Sequence, residues 1–304
     1  MVVETTLSGM RTRTGLAIAG VLGAGLATFA YASLIERNRF TLRRYDVPVL
    51  APDAEPLRVL QISDLHMMPD QRRKQDWVAS LAALDPDLVL LTGDNMAHPG
   101  SLPAVVRALS ALLSAPGAFV FGSNDYRGPV LKNPFGYFDR HREYRQGVDL
   151  PVEDLRDVLT AAGWADLNNA RTTAKAGGQS IELVGVDDPH TERDEYGRVA
   201  GPADSQAGVH LGVTHSPEPR VLEPMADDGV DLLVAGHTHG GQVCVPFYGA
   251  LVTNCGLDRR RASGLHRYGP AWLHVSAGLG TSPYAPVRFA CPPEASLLTL
   301  VPAS

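Results

Sequence analysis

DPDLVLLTGDN, residues 85–95, carries the pattern from which the fold of this chain is predicted. Residues 88–92 form a near-continuous apolar run, which is typical of a strand buried on both faces. Gly93 and Asp94 follow directly, so we expect the strand to end in a turn that carries a carboxylate. Further apolar runs alternate with helix-like segments from residue 57 onward, beginning with LRVLQIS at 57–63. This alternation predicts an α/β domain.

The composition is that of a globular protein with an acidic balance. The chain has 304 residues, of which 44% are apolar and 20% are charged, and this excludes a largely disordered chain. The net charge of −6 argues against nucleic acid as a partner. No CxxC pair is present, which argues against a zinc–thiolate site. Cys244 and Cys255 could bridge a hairpin, or all three cysteines could be free thiols.

The chain divides into three predicted segments: 1–36, 37–56 and 57–304. Residues 14–35 carry no charge and are long enough to span a bilayer, which takes ~20 helical residues. The basic residues after this run favour a retained signal anchor, Ala30-Tyr31-Ala32 resembles a signal-peptidase site, and a soluble helix is the third alternative. We predict single-pass membrane association through residues 1–36 and leave open the side of the membrane and secretion after cleavage. Residues 37–56 are basic, then proline-rich and acidic, which predicts a linker.

Asp, Asn and His side chains follow five of the predicted strands at the point where each strand ends. The carboxyl ends of strands form the ligand-binding edge of α/β sheets. Seven candidate metal ligands collect there: Asp64, His66, Asp94, an amide from the turn at 122–125, His215, His237 and His239. Seven exceed the ligand set of one tetrahedral zinc and suit two metals that share a carboxylate. Nitrogen and oxygen donors without thiolate indicate Mn, Fe, Zn or Co, with Mn favoured, rather than copper(I) or calcium.

These motifs, D-x-H, G-D, a G-N-H-D/E-like turn, a later His and G-H-x-H, resemble in this order the calcineurin-like metallophosphoesterases. The resemblance covers residues 57 to about 301, and GHTHGGQ, VGVDDPH and GLGTSPYAPVRF are similar to a bacterial membrane-associated branch. It implies a four-layer α/β/β/α sandwich and hydrolysis of phosphoesters by a metal-activated hydroxide. It also implies two metal ligand sets: Asp64, His66, Asp94 and His239 for one metal, and Asp94, the turn amide, His215 and His237 for the other.

The turn Gly122-Ser123-Asn124-Asp125 departs from the family motif because it lacks the histidine that assists the leaving group. Two alignments are compatible with it. A gapless alignment puts Ser123 at the metal-ligand position, whereas a shift of one residue makes Asn124 the ligand and puts Asp125 at the histidine position. We favour the shift, because an amide oxygen is the better neutral ligand.

The catalytic residues predicted on this basis are the bridging Asp94 together with Asp125 and His190. His190 or His98 could replace the missing histidine, although an ordinary loop position is the favoured interpretation of each. The absence of that histidine also keeps open a second class of function, a metal-binding scaffold or sensor at the membrane that does not catalyse.

The substrate is predicted only by class. A phosphate monoester or diester fits, and the membrane segment favours a lipid or glycolipid phosphate. Basic and aromatic residues are concentrated at 127–145, where they could face a headgroup, the membrane surface or only solvent. The oligomeric state cannot be predicted.

Overall fold

The structure is a computed structural model that describes residues 19–131 and 147–303. The beginning of the predicted membrane segment and residues 132–145 of the predicted basic and aromatic loop lie outside the described residues.

The first large sheet has six strands in the order β1-β14-β2-β3-β4-β5. The central strands β2, β3, β4 and β5 are parallel, whereas β14 runs antiparallel to β2. The bounds are β1 Thr41–Leu50, β2 Leu57–Ile62, β3 Leu88–Thr92, β4 Gly117–Val120, β5 Ala165–Asp166 and β14 Glu294–Pro302.

The second large sheet also has six strands, in the order β12-β13-β9-β8-β7-β6. Its four inner strands β13, β9, β8 and β7 are parallel, and an antiparallel strand lies at each edge. The bounds are β6 Ala170–Ala176, β7 Gln179–Gly185, β8 Val209–Val213, β9 Leu232–Ala235, β12 Gly264–Tyr268 and β13 Ala271–Val275. A two-stranded hairpin of β10 Cys244–Val245 and β11 Gly249–Ala250 stands apart from both sheets.

Helices cover the outer faces of the two sheets. The helical segments are α1 Ala19–Asn38, α2 Arg72–Ser80, α3 Leu102–Leu109, α4 Ser123–Tyr126, α5 Val152–Ala161 and α6 Pro219–Asp227. Side chains of α2, α3 and α5 pack on one sheet, and those of α6 pack on the other. The inner faces of the sheets share one apolar core, in which Val59 and Leu90 meet Leu211 and Val234. The predicted four-layer α/β/β/α sandwich is thereby confirmed.

The prediction of a linker at 37–56 is wrong for residues 41–50. They form β1, which pairs in parallel with β14 along its whole length. Val47 and Leu50 are buried in the core between the sheets. β1 is an edge strand, and the charged residues and the proline of TLRRYDVPVL are typical of a linker, although Tyr45, Val47 and Val49 alternate with Asp46 and Pro48.

The segment that precedes β1 is α1, a helix of 20 residues that is long and apolar enough to cross a membrane by length and composition. Residues 19–30 are exposed throughout. The last turns contact the domain: the main-chain N–H of Arg288 donates to the carbonyl of Ala32 at 3.2 Å, and that of Cys291 donates to the Glu36 carboxylate at 2.8 Å. The described part of the predicted segment, residues 19–36, is thus a protruding helix whose end is fixed to the protein body.

Candidate metal centre

The strand ends of both sheets bring six of the predicted ligands to one place. The turns after β2 and β3 carry Asp64, His66 and Asp94, and those after β8 and β9 carry His215, His237 and His239. Two groups have potential ligand atoms that all lie within 4.8 Å of one another: Asp64, His66 and His239, and Asp64, Asp94 and His215. Parallel strands end at the same edge of a sheet, which is why residues so far apart in sequence meet here.

On one side of the cluster, two imidazoles face each other. The Nε2 atoms of His66 and His239 are 3.1 Å apart. The Nε2 of His66 is 3.4 Å from Oδ2 of Asp94, and that of His239 is 3.6 Å from Oδ1 of Asp64. Nitrogen lone pairs and carboxylate oxygens therefore converge on one small volume, as the ligands of a divalent cation do.

On the other side, His215 and His237 have their ring orientation set by carbonyl groups. Nδ1 of His215 lies 2.8 Å from the carbonyl oxygen of Thr92, and Nε2 of His237 lies 3.3 Å from that of Asn254. A ring nitrogen beside a carbonyl carries the proton, so the opposite nitrogen presents its lone pair. Those opposite atoms, Nε2 of His215 and Nδ1 of His237, are 3.3 Å apart. This tautomer pattern fits a metal site.

The main chain of the ligand turns is strained. Five ligand residues have left-handed φ values: Asp64 49°, His66 38°, Asp94 55°, His237 70° and His239 50°. Residues other than glycine rarely adopt this region, and such strain is concentrated at functional sites. Hydrogen bonds between turns hold it: the Asp64 N–H donates to the Gly93 carbonyl, and the His66 N–H to the Asp94 carbonyl, both at 2.9 Å.

Two glycines allow the strand ends to approach this closely. A Cβ atom on Gly122 would lie 2.4 Å from Oδ1 of Asp94 and 2.6 Å from Nε2 of His215. Gly93 has a φ of +88°, and a Cβ there would lie 2.6 Å from the nitrogen of Gly122. Any side chain at either position would displace a candidate ligand, which explains the glycine before each polar turn.

Burial keeps most of these imidazoles neutral. It lowers the pKa of His66 to about 4 and lowers the pKa of both His237 and His239. His215 behaves differently: burial opposes its charge, but the neighbouring Asp94 outweighs burial and raises the pKa of His215. The same pairing lowers the pKa of Asp94 in spite of its burial. The negative charge of Asp94 beside the His215 ring would equally favour a cation bound by both residues.

Ser123 and Asn124 lie at the first turn of α4, beside Asp94. The main-chain N–H of Asn124 donates to Oδ1 of Asp94, and its side-chain amide donates to Oδ2, both at 2.7 Å. The Ser123 hydroxyl is 3.3 Å from the same amide nitrogen. Ser123 and Asn124, the two alternatives for the ligand from this turn, thus both lie beside the cluster. The Asn124 side chain directly contacts the predicted ligand Asp94.

Asp125, predicted as a catalytic residue, lies between two turns and supports both of them. Its side chain is buried, and it accepts hydrogen bonds from the main-chain N–H groups of Asp94, Asn95 and Gly122 at 2.8, 2.8 and 3.0 Å and from the Asn95 amide at 3.2 Å. Burial raises the pKa of Asp125 to about 7, but four donors occupy its oxygens. A carboxylate held in this way joins two turns.

His190 lies beside the centre, whereas His98 is turned to a local contact. The rings of His190 and His237 are 4.5 Å apart between centroids, and the main-chain N–H of His190 donates to the Asp188 carboxylate at 3.0 Å. His98 is exposed, and its Nδ1 accepts a hydrogen bond from the Gly100 N–H at 2.9 Å. Within the part of the chain that the structure describes, His190 therefore contacts a predicted ligand, whereas His98 does not.

Two further residues next to the cluster were not identified from the sequence. Arg288 is fully buried, donates to main-chain carbonyls that include those of Ala277 and Gly280 at 2.7 and 2.8 Å, and lies 3.3 Å from Nδ1 of His239. Asp188 is buried after β7 and accepts from the Thr191 hydroxyl at 2.7 Å. Asp188 lies shortly after the end of β7, behind Val186 and Asp187, so its position near a strand end carried a usable signal. Arg288 follows no strand and gave none.

The three cysteines are free thiols, so the alternative of a bridge between Cys244 and Cys255 is not realised. Cys244 and Cys291 are buried side by side in a small cluster behind the G-H-x-H turn. Their thiols contact the carbonyl oxygen of Gly240 at 3.1 and 3.6 Å.

The fold and this cluster agree with the family to which the chain is matched. Residues 57–241 match the model of the calcineurin-like phosphoesterase family. The chain belongs to that family, and it is a hydrolase that acts on phosphoester bonds.

Similar proteins come from several bacteria. Phosphodiesterase YaeI of Escherichia coli K12 is 30% identical over 279 residues, which cover 90% of this chain and 93% of that protein. The uncharacterized metallophosphoesterase YkuE of Bacillus subtilis is 26% identical over 287 residues, 91% of this chain and 90% of that protein. UDP-2,3-diacylglucosamine pyrophosphatase LpxG of Chlamydia trachomatis is 25% identical over 320 aligned positions, 91% of this chain and 94% of that protein.

Proposed function

We propose that this chain is a phosphodiesterase whose centre holds two divalent metal ions bridged by Asp94. The observation that carries the proposal is the position of the two carboxylate oxygens of Asp94. Oδ2 faces His66 at 3.4 Å, and Oδ1 faces His215 at 3.5 Å. One residue thus contacts a candidate ligand of each set through a different oxygen, as a bridging carboxylate does.

The residues that would hold the metals follow from this division. Asp64, His66, Asp94 and His239 form the first ligand set, and Asp94, Asn124, His215 and His237 form the second. When bound, two divalent cations lower the pKa of a coordinated water and stabilise negative charge on the phosphate oxygens. The donors are imidazole, carboxylate and amide groups, which suit Mn, Fe, Zn or Co, and we favour Mn.

The protein groups around the centre have separate tasks. Asn124 orients the Asp94 carboxylate through its two hydrogen bonds. His190, packed against His237, is positioned to donate a proton to the leaving alcohol, the task of a general acid. Asp125 keeps the turns after β3 and β4 in register. The missing motif histidine is thereby compensated from another loop.

The proposed substrate is a phosphodiester or pyrophosphate linked to a lipid. Two similar proteins carry the names phosphodiesterase and UDP-2,3-diacylglucosamine pyrophosphatase, and the second name refers to an acylated sugar nucleotide. The exposed apolar helix α1 would hold the domain at a membrane, where such a substrate resides.

The test is hydrolysis by the purified full chain in detergent, with Mn²⁺ or with chelator, of bis-p-nitrophenyl phosphate and p-nitrophenyl phosphate. We expect Mn²⁺-dependent turnover with a preference for the diester. No metal-dependent turnover of either compound, by a folded protein that binds Mn²⁺, would instead support a scaffold without catalysis.

A further inference from the structure

The β10–β11 hairpin, residues 243–252, exposes an apolar surface that the proposed function does not use. Phe247 at its tip is fully exposed, and Val243, Val245, Tyr248, Leu251 and Val252 are each between 43% and 58% exposed. Soluble proteins rarely expose so many apolar side chains in one short segment, and such patches mark contacts with a protein or a membrane. Phe247 also has a φ of 66°, a conformation that a bulky residue rarely adopts without a reason.

The hairpin is joined to the end of α1 through one short segment, residues 288–291. Val243 forms a bridge with Phe289, and the Cys244 N–H donates to the Phe289 carbonyl at 2.9 Å. The adjacent residue Arg288 donates its main-chain N–H to Ala32 of α1 at 3.2 Å. The base of the hairpin is therefore fixed at the level of Ala32.

That level lies inside the apolar part of α1. Ala32 falls within the uncharged run 14–35, and the first charged residue beyond it is Glu36. If α1 spans a bilayer, as proposed above, its contact with the domain at Ala32 lies at the boundary between hydrocarbon and headgroups. Because the base of the hairpin is attached close to Ala32, its exposed side chains are within reach of the same boundary.

Basic and aromatic groups flank the apolar tip as they do at membrane interfaces. The Arg259 guanidinium lies 4.2 Å over the ring of Tyr248 and donates to the Ala250 carbonyl at 3.4 Å. Arg260 and Arg261 follow in the same turn. Tyrosine and arginine place an apolar stem in the interface and a polar end at the headgroups. Clustered arginines also favour anionic lipids.

We propose that the β10–β11 hairpin is a second membrane contact, which inserts Phe247 and its apolar neighbours into an anionic lipid surface beside α1. This inference rests on the membrane anchoring in the proposed function. It goes beyond anchoring because two contacts, rather than one, fix the orientation of the domain. The chain that leaves the hairpin reaches Asn254, whose carbonyl contacts His237 at 3.3 Å, so the hairpin holds the metal centre close to the lipid surface.

Tryptophan fluorescence in vesicles with brominated acyl chains tests the proposal. The full chain is reconstituted into phosphatidylcholine–phosphatidylglycerol vesicles as two variants, Phe247→Trp and Lys175→Trp. Lys175 is an exposed residue of β6 near the opposite end of the domain, where Gly177 adjoins Leu57 at the beginning of β2. The emission of the unmodified chain, with its three tryptophans, is subtracted from both.

We expect bromolipid quenching of the added signal in the Phe247→Trp variant to exceed that in the Lys175→Trp control by several-fold, together with a shift to shorter wavelength. Equal quenching in the two variants would overturn the proposal. A shift to shorter wavelength without quenching, accompanied by cross-linking between copies, would also overturn it and would assign the hairpin to a contact between two chains. Diester hydrolysis by the unmodified chain in detergent is read independently, so failure of the enzyme proposal is distinguishable from failure of this one.

Discussion

Oδ2 of Asp125 accepts a hydrogen bond from the main-chain N–H of Asp94 at 2.8 Å. This bond joins the turn after β4 to the turn after β3. A second carboxylate oxygen accepts from the N–H of Asn95 at 2.8 Å. The buried Asp125 therefore supports the strained main chain of the residue that we propose to bridge two metals.

Asp125→Asn should act mainly on stability. The replacement puts an amide N–H₂ opposite main-chain donors that now have an acceptor, and leaving a buried donor unpaired costs about 1–3 kcal/mol. We expect the free energy of unfolding in urea to fall by about that amount, with the pH profile of the remaining activity unchanged. The exposed Asp53→Asn is the matched control. A changed pH profile at unchanged stability would restore Asp125 as an acid.

Asp94→Asn should separate metal binding from folding. The amide keeps the size of the side chain and can still accept one of the two hydrogen bonds from Asn124, but it removes the charge that faces His66 and His215. We expect less bound metal per chain and a fall in kcat/KM for bis-p-nitrophenyl phosphate of more than about 100-fold. Loss of a residue that only orients a metal ligand lowers activity by at most about 100-fold, and a ligand that is itself lost should cost more. Wild-type activity in a folded variant would contradict the bridging role.

Asn124→Ala and Ser123→Ala together test the register of the turn. The Asn124 amide contacts Asp94 at 2.7 Å, so its removal should weaken Mn²⁺ binding by about 10–100-fold, with Ser123→Ala much milder. Titration calorimetry of metal-stripped protein measures both variants. If Ser123→Ala is the more damaging change, the serine supplies the ligand and Asn124 stands at the motif histidine position.

His190→Asn should affect substrates according to their leaving group. General acid catalysis contributes about 10²–10⁴-fold when the leaving alcohol needs a proton, whereas p-nitrophenolate leaves without one. We expect kcat for an alkyl phosphodiester to fall by about 100-fold or more, while kcat for bis-p-nitrophenyl phosphate changes little. His98→Asn, at an exposed loop, should change neither. Equal losses on both substrates would assign His190 to ligand positioning through His237.

The features of the site that follow one simple rule could be predicted from the sequence. Strand ends can be recognised where apolar runs stop at Asp, Asn or His, and this rule located Asp64, Asp94 and His237 before their proximity was visible. It could also have found Asp188, which lies shortly after the end of β7. The layers of the sandwich came from the resemblance to a family rather than from the pattern alone.

Other features depend on tertiary contacts that leave no local trace. The sequence of β1 predicts a linker because its charged residues and Pro48 outweigh the short alternation of Tyr45, Val47 and Val49. Asp125 looks like any polar turn residue until its four donors are seen. An arginine such as Arg288 is expected at the surface, yet it is fully buried against main-chain carbonyls beside His239.

The central claim is that the centre holds two divalent metals which the reaction requires. The most direct measurement is a titration of metal-stripped full chain with Mn²⁺, in which bound Mn²⁺ per chain and bis-p-nitrophenyl phosphate hydrolysis are followed in the same samples. We expect no activity without metal and maximal activity as bound Mn²⁺ approaches two per chain. Full activity in chelator, or maximal activity with a single bound metal, would contradict it.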